Sequence, residues 1–491
     1  MPGSSKTSDL SQHIDNATAN PFESGLAGRR RKAAVTLTAV WSGTVVLHLV
    51  PGGSWIVVGL TALVGMHLVR TMFTRPRIEP EPLTEHAVHY PYVSLLVAAK
   101  NEEAVIANLI KNLCTLDYPD DHYDVWLIDD SSTDQTPAIL ERLGQVYPNL
   151  NVVHRSAEAG GGKSGALNQV WPLTQADIMA VFDADALVPD DLLRRVVPLF
   201  DQTEVGAVQV RKAIANASAN FWTRAQAGEM ILDSYIQEKR IAVGGIGELR
   251  GNGQFVRRDA IEDCHGWNEE TITDDLDLTL RLHLNRWTVL HLSSSAVEEE
   301  GVTGVVGLWH QRSRWAEGGY QRYLDYWRLI AQNRLGTRKT LDMLAFWTIQ
   351  YLVPTAALPD LLMAIARNRL PVLSLLTTIA TGFSLVSVTL GQWRLHQSES
   401  MTDVVESETT LATALPVTIS QRSAASPTQR LITTAAILFR SLRTTLYMLH
   451  WMLVIASTSI RISIRPKRLK WVKTVHHGSG ETGDGSVLID V

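Results

Sequence analysis

Cysteine is almost absent from this chain. Cys114 and Cys264 are the only two in 491 residues, which argues against a disulfide framework or a Cys-rich metal centre and suits a reducing compartment. Positive charge is not in surplus either. The formal net charge is −5 at pH 7, so general nucleic-acid binding is not expected. The Lys and Arg residues that do cluster stand beside apolar runs, where lipid headgroups are the natural partner. No internal repeat is visible. Near the N-terminus no apolar run reaches the roughly 20 residues that cross a bilayer comfortably. What remains is a chain too long for one typical domain, with 45% hydrophobic residues, as a soluble domain joined to membrane segments would have.

Residues 1–32 read as a disordered tail, poor in large apolar residues and ending in Arg29, Arg30, Arg31 and Lys32. Two apolar runs joined by a Pro51-Gly52-Gly53 turn make a transmembrane hairpin over 33–72. The basic cluster before it and Arg70, Arg75 and Arg77 near its end put both ends on the cytosolic side. A Pro-rich linker spans 73–91. In 92–335 short apolar runs alternate with helix-compatible stretches, the pattern of an α/β domain. Val93–Ala99, Asp124–Ile128, Ile178–Phe182 and Val205–Val210 are apolar enough on both faces for buried strands of a mostly parallel sheet, and Glu102–Leu113 reads as a helix. Residues 336–396 carry two further apolar spans, 397–430 a polar loop, 431–460 a transmembrane or interfacial segment, and 461–491 a basic tail. Three full C-terminal spans would put that tail outside, against the charge rule. The last segment therefore reads as a hairpin or as a helix in the interface. A multi-pass protein with its α/β domain on the cytosolic face is expected.

Four polar elements follow one another in that domain: Asp129-Asp130, Asp183-Ala184-Asp185, Thr273-Asp274-Asp275 and Gln311-Arg312-Ser313-Arg314-Trp315. Each alone has a plain structural explanation, since Asp after a strand makes turns and caps and Trp-Arg pairs form membrane-interface girdles. Their order, with the first two each ending a strand-like run, points to one polar site. Asp183 and Asp185 supply the one or two carboxylates that Mg²⁺ or Mn²⁺ takes from a protein when a diphosphate completes its shell. Asp129 and Asp130 suit nucleoside recognition, or an Asx turn. Asp274, Asp275 and Asp277 are close enough to raise one another's pKa, the property of a general base working near neutrality. Gln311 and Arg314 share a helix face, with Arg314 suited to a diphosphate and Trp315 to stacking on a sugar or acceptor. Glu102 follows the first strand at the edge where open α/β sheets bind ligands. Gly160–Gly165 fails the P-loop spacing because position 157 is Ala, and it reads either as a plain loop or as one that brings Lys163 to a diphosphate. Asp360, deep in an apolar run, suits either an acceptor contact or a span end.

Over about residues 90–330 these motifs resemble the inverting family 2 glycosyltransferases. That resemblance implies a GT-A-type nucleotide-diphospho-sugar transferase domain flanked by N- and C-terminal transmembrane helices. Gly161–Leu173, Val205–Asn216, Gly244–Arg258, Trp267–Leu280 and Arg314–Tyr326 further resemble members of the family that glucosylate lipids. The implied donor is UDP-glucose, the acceptor diacylglycerol within membrane lipid, and the metal Mg²⁺, with Mn²⁺ as a substitute. By matching position, Glu102, Asp129, Asp130, Lys163 and Asp183 would bind the nucleotide sugar, Asp183 and Asp185 the metal, and Gln311, Arg314 and Trp315 the diphosphate and acceptor. Asp275 would be the base. Many relatives carry Glu where this chain has Asp274, which leaves the choice between Asp274 and Asp275 open. A processive polysaccharide synthase carries the same Gln-x-x-Arg-Trp element but needs more spans, and a silent membrane scaffold would show no turnover at all.

Overall fold

The computed structural model describes Phe22, residues 25–84, Ala87, and residues 89–412 and 427–465. Most of the expected disordered tail, the middle of the expected polar loop and the basic tail beyond Arg465 lie outside the described residues. Seven strands form one sheet in the order β3-β2-β1-β4-β6-β5-β7: β1 Val93–Ala99, β2 Tyr123–Asp129, β3 Leu150–His154, β4 Ile178–Phe182, β5 Val205–Ile214, β6 Gln254–Arg257 and β7 Thr288–Glu299. Only β6 runs antiparallel to its neighbours β4 and β5. The sheet is therefore mostly parallel, as a GT-A-type domain requires. β1, β4 and the first part of β5 are buried along almost their whole length, which is why they read as continuous apolar runs. At the two sheet edges β3 is buried only at Leu150 and β7 mixes buried with half-exposed residues, and β6 is only four residues long. None of those three stands out as an apolar run.

The helices in chain order are α1 Arg29–Leu49, α2 Gly53–Phe73, α3 Ile106–Leu113, α4 Thr136–Gly144, α5 Gly162–Val170, α6 Leu192–Val196, α7 Phe221–Ala242, α8 Arg258–Asp263, α9 Asp274–Leu284, α10 Val305–Ala331, α11 Thr337–Trp347, α12 Val353–Ala366, α13 Ser374–Ala412, α14 Pro427–Met448 and α15 His450–Ile464. Among the described residues, five helical stretches are long and apolar enough to cross a membrane: Arg29–Leu49, Gly53–Phe73, Thr337–Ala366, Ser374–Gln397 and Thr428–Ile464. The third joins α11 to α12 through a π-helical turn at Thr348–Leu352. Pro354, which cannot donate to the carbonyl four residues back, stands two residues beyond the end of that turn.

Two expectations shift. The polar segment read as a loop from 397 continues α13 helically to Ala412, and α14 already begins at Pro427. The last apolar segment comprises two helices with different neighbours. α15 packs against α1, α12 and α10, whereas α14 lies along α7 and α13. α14 turns Ser441, Thr444 and Thr445 to the protein and exposes Leu431, Ile432, Leu438, Phe439 and Leu442.

A buried ion network joins the hairpin to the α/β domain. Asp342 on α11 accepts from Arg240 Nε at 3.0 Å, from the Ile246 amide at 3.0 Å and from the His67 ring on α2 at 3.0 Å. Asp342→Ala strands the buried Arg240 guanidinium, although Glu248 still faces it at 3.3 Å. We expect a loss of about 3 kcal/mol, the lower end for breaking a buried pair, read as a lower midpoint in thermal unfolding of the detergent-solubilised protein.

Candidate active site

Strand order reverses between β1 and β4, because the chain runs outward from β1 to β3 and then returns to the other side of β1. Such a switch point opens a crevice beyond the carboxyl ends of the strands. The loops after β1 and β2 are stapled together there. The Asn101 amide donates to Ser132 Oγ at 2.8 Å, the Thr133 amide donates to Asn101 Oδ1 at 2.7 Å, and the Glu102 amide donates to Thr136 Oγ1 at 2.8 Å. This cross-bracing holds residues 101–105 in a turn, so α3 starts at Ile106 and not at Glu102. Glu102 is thereby buried at the crevice.

One cavity of about 520 Å³ gathers Glu102, Asp130, Lys163, Asp183, Asp185, Asp274, Asp275, Gln311, Arg314 and Trp315. Of the acidic candidates named from sequence in the α/β domain, Asp129 and Asp277 do not line it. The Asp129 carboxylate is buried, accepting from the Ser132 amide at 3.0 Å and meeting the His154 ring at 3.0 Å, so it builds the loop while Asp130 faces the cavity. Asp277 also turns away. It pairs with Arg281 at 2.7 Å and accepts from Tyr326 Oη at 2.8 Å, because on α9 it follows Asp275 by about 200° of helical turn. Asp360 lies apart from the acidic site: its carboxylate meets the His48 ring at 2.7 Å and the amides of Val372 and Leu373 at 2.8 and 3.0 Å.

The glycine loop does carry its lysine to the acids. Gly161 and Gly162 have φ of 81° and 54°, the left-handed region that glycine tolerates. The turn they make starts α5 and brings Lys163 Nζ to 2.5 Å from Asp183 Oδ1. Burial disfavours the Lys163 ammonium, but Asp183 and Asp274 outweigh it and hold its pKa above the ordinary value. Asp185 Oδ2 accepts from the Glu300 amide at 2.9 Å. A cation already sits against Asp183, and no group of three or more His, Cys, Asp or Glu converges as a metal cage among the described residues. One or two carboxylates with phosphate oxygens completing the shell is the donor set that fits Mg²⁺.

Asp274 and Asp275 open α9. Burial, and then the charge of Asp274, push the Asp275 carboxyl up to about 6. Asp274 is also raised by burial, against the pull of Lys163, and its Oδ2 has no hydrogen-bond partner among the described residues. Gly251, at φ 81°, lets the backbone pass beside Asp275, where an added Cβ would stand 3.6 Å from Oδ2. Asp275 is the carboxylate here whose proton affinity suits a base near neutrality.

The family model described as glycosyltransferase-like family 2 matches residues 91–318. The chain is 56% identical over 454 residues to the β-monoglucosyldiacylglycerol synthase of Nostoc sp., covering 92% of this chain and 90% of that one. The chain belongs to glycosyltransferase family 2. It is also 53% identical to the β-monoglucosyldiacylglycerol synthase of Synechocystis sp., over 94% of this chain and 91% of the relative. A solved mannosyltransferase from Pyrobaculum calidifontis superposes with a TM-score of 0.48 at 20% identity, covering 84% of this chain and 98% of that one.

Several residues of this glycosyltransferase's site carry no signal in the sequence. Arg155, just past β3, pairs with Asp130 and donates to the Gly160 carbonyl at 2.6 Å, so it binds the nucleotide edge to the glycine loop. Lys212, mid-strand in β5, pairs with Glu299 at 2.6 Å and stands 5.6 Å from the Trp315 ring. Arg312, inside the Gln-x-x-Arg-Trp element at a variable position, is almost fully buried. It stacks on Trp315 at 4.0 Å and donates to Gln311 Oε1 at 2.9 Å, so it orients both neighbours. Each also has an acidic partner well away in sequence: Asp130 for Arg155, Glu299 for Lys212 and Glu229 for Arg312. A base role for Asp275 predicts that transferase activity falls as pH drops through about 6, where burial and the charge of Asp274 return the proton to its carboxyl. A rate-against-pH profile with its acidic limb near 4 would contradict this.

Proposed function

We propose that this family 2 enzyme transfers glucose from UDP-glucose to the free hydroxyl of sn-1,2-diacylglycerol, with inversion, releasing UDP. The observation that carries the reading is continuity of one cavity. Its acidic end is lined by Asp130, Asp183 and Asp275, and its other end by Thr381, Phe383 and Met452 on helices apolar enough to span a membrane. A water-soluble donor and a bilayer-bound acceptor need such a space. The named relatives, both β-monoglucosyldiacylglycerol synthases, favour a glucosyl donor and this acceptor. We further infer that the chain is multi-pass and that its α/β domain faces the cytosol, where sugar nucleotides are found, consistent with the basic residues flanking the hairpin.

In this reading the Asp275 carboxylate removes the proton from the diacylglycerol hydroxyl. The oxygen attacks the anomeric carbon on the face opposite UDP, the bond from that carbon to the diphosphate oxygen breaks, and UDP keeps the electron pair. Asp183 and Asp185 would hold Mg²⁺, which supplies charge neutralisation for the departing diphosphate. Lys163 and Arg314 add positive charge on the same side. Burial holds the Arg314 pKa down while Asp183 pulls it back up, so Arg314 is a partly desolvated donor ready for phosphate. Trp315, fixed by Arg312, offers an aromatic face to the sugar or the glycerol.

Purified protein incubated with Mg²⁺, labelled UDP-glucose and diacylglycerol is expected to place the label in a single organic-phase monohexosyl lipid that depends on added acceptor. Label in insoluble, acceptor-independent material would instead favour a polymer synthase. Asp275→Asn is expected to lower turnover by about 10²–10⁴-fold while UDP binding measured by calorimetry changes little, and full activity in that variant would remove Asp275 from the role of base. A chelator is expected to abolish transfer and Mg²⁺ to restore it, with Asp183→Asn weakening the metal dependence of UDP binding.

A further inference from the structure

Beside the catalytic cavity runs a second one of about 620 Å³, between α12 and α13. The two share Val353, Thr377, Thr381 and Met452 along their walls, so they adjoin one another and meet at the membrane end of the catalytic space. Resting on the function proposed above, we propose that this groove holds one acyl chain of the acceptor and thereby sets the glycerol hydroxyl beside Asp275.

Three of the groove's polar side chains are occupied by the protein itself. Thr377 Oγ1 donates back to the Leu373 carbonyl at 3.0 Å and Thr378 Oγ1 to the Ser374 carbonyl at 2.8 Å, so both present their methyl groups. Asp360 lines the groove, but its carboxylate is taken up by the His48 ring and two backbone amides. The remaining surface, from Ala357, Leu361 and Leu373, suits hydrocarbon. Small residues make the width. Gly382 lines the groove, and a Cβ built on it meets nothing within 4 Å. An acyl chain leaving the bilayer for such a groove gains little hydrophobic free energy, because lipid tails are as apolar as the wall. What the groove supplies is position, and a displacement of about 1 Å at the reacting atoms is worth as much as 10²-fold in rate.

Gly382→Phe fills the groove from α13 and Ala357→Phe fills it from the α12 wall. Each is assayed with dioleoylglycerol and with dibutyrylglycerol, whose chains are too short to reach the groove, and UDP binding reports that the variant is folded. The ratio of long-chain to short-chain transfer is expected to fall at least tenfold in whichever of the two variants binds UDP as the parent enzyme does. An unchanged ratio, whether both rates persist or both fall together, overturns the assignment and leaves the groove to packing lipid. Absence of transfer to either acceptor by the parent enzyme would instead overturn the diacylglycerol reading, and the groove assignment with it.

Discussion

The crowding of carboxylates at one edge of the sheet governs this molecule. Asp130, Asp183, Asp185, Asp274, Asp275, Glu299 and Glu300 all line a single cavity, and each negative charge makes the next harder to ionise in a poorly hydrated space. Cations drawn from distant parts of the chain hold three of them: Arg155 and Lys100 at Asp130, Lys163 at Asp183, and Lys212 at Glu299. Asp275 is left incompletely compensated, with burial and Asp274 outweighing Arg250 and Lys163. That imbalance is what gives it a proton affinity useful near neutral pH. The glycine turn before Lys163 and the loop at Gly251 both serve to hold this balance of charge in place.

The acidic edge must also stay fixed relative to the membrane helices, and two buried polar networks do this. In the first, Arg240, Arg250 and Arg322 converge on Glu248, with Asp233 and Asp342 completing the set and His67 tying in the hairpin. In the second, Glu229 on α7 meets Arg312 on α10 at 2.5 Å, the Tyr447 hydroxyl at 3.1 Å and the Trp451 ring nitrogen at 2.9 Å. Buried charges tolerate little movement, since a partner displaced is a charge left uncompensated. The networks therefore lock α7, α10 and the terminal helices into one frame and fix the acidic end of the cavity relative to its apolar end.

The sequence by itself determined the elements whose signal is local. Buried parallel strands announce themselves as apolar runs, and β1, β2, β4 and the start of β5 fall where those runs are. Asp183, Asp185, Asp274 and Asp275 are legible because each follows a strand or opens a helix at the ligand-binding edge. What only the tertiary structure decided are relationships between distant residues. β3, β6 and β7 are short or lie at an edge, so pairing and not composition defines them. Asp129 and Asp130 are adjacent and chemically identical. Strand alternation sends the first to His154 and the second to the cavity, so which one faces a ligand depends on how β2 pairs with β3. Arg155, Lys212 and Arg312 are ordinary basic residues until the fold sets them against acids and rings well away in sequence, because electrostatic partnership depends on distance in space and leaves no periodic trace along the chain.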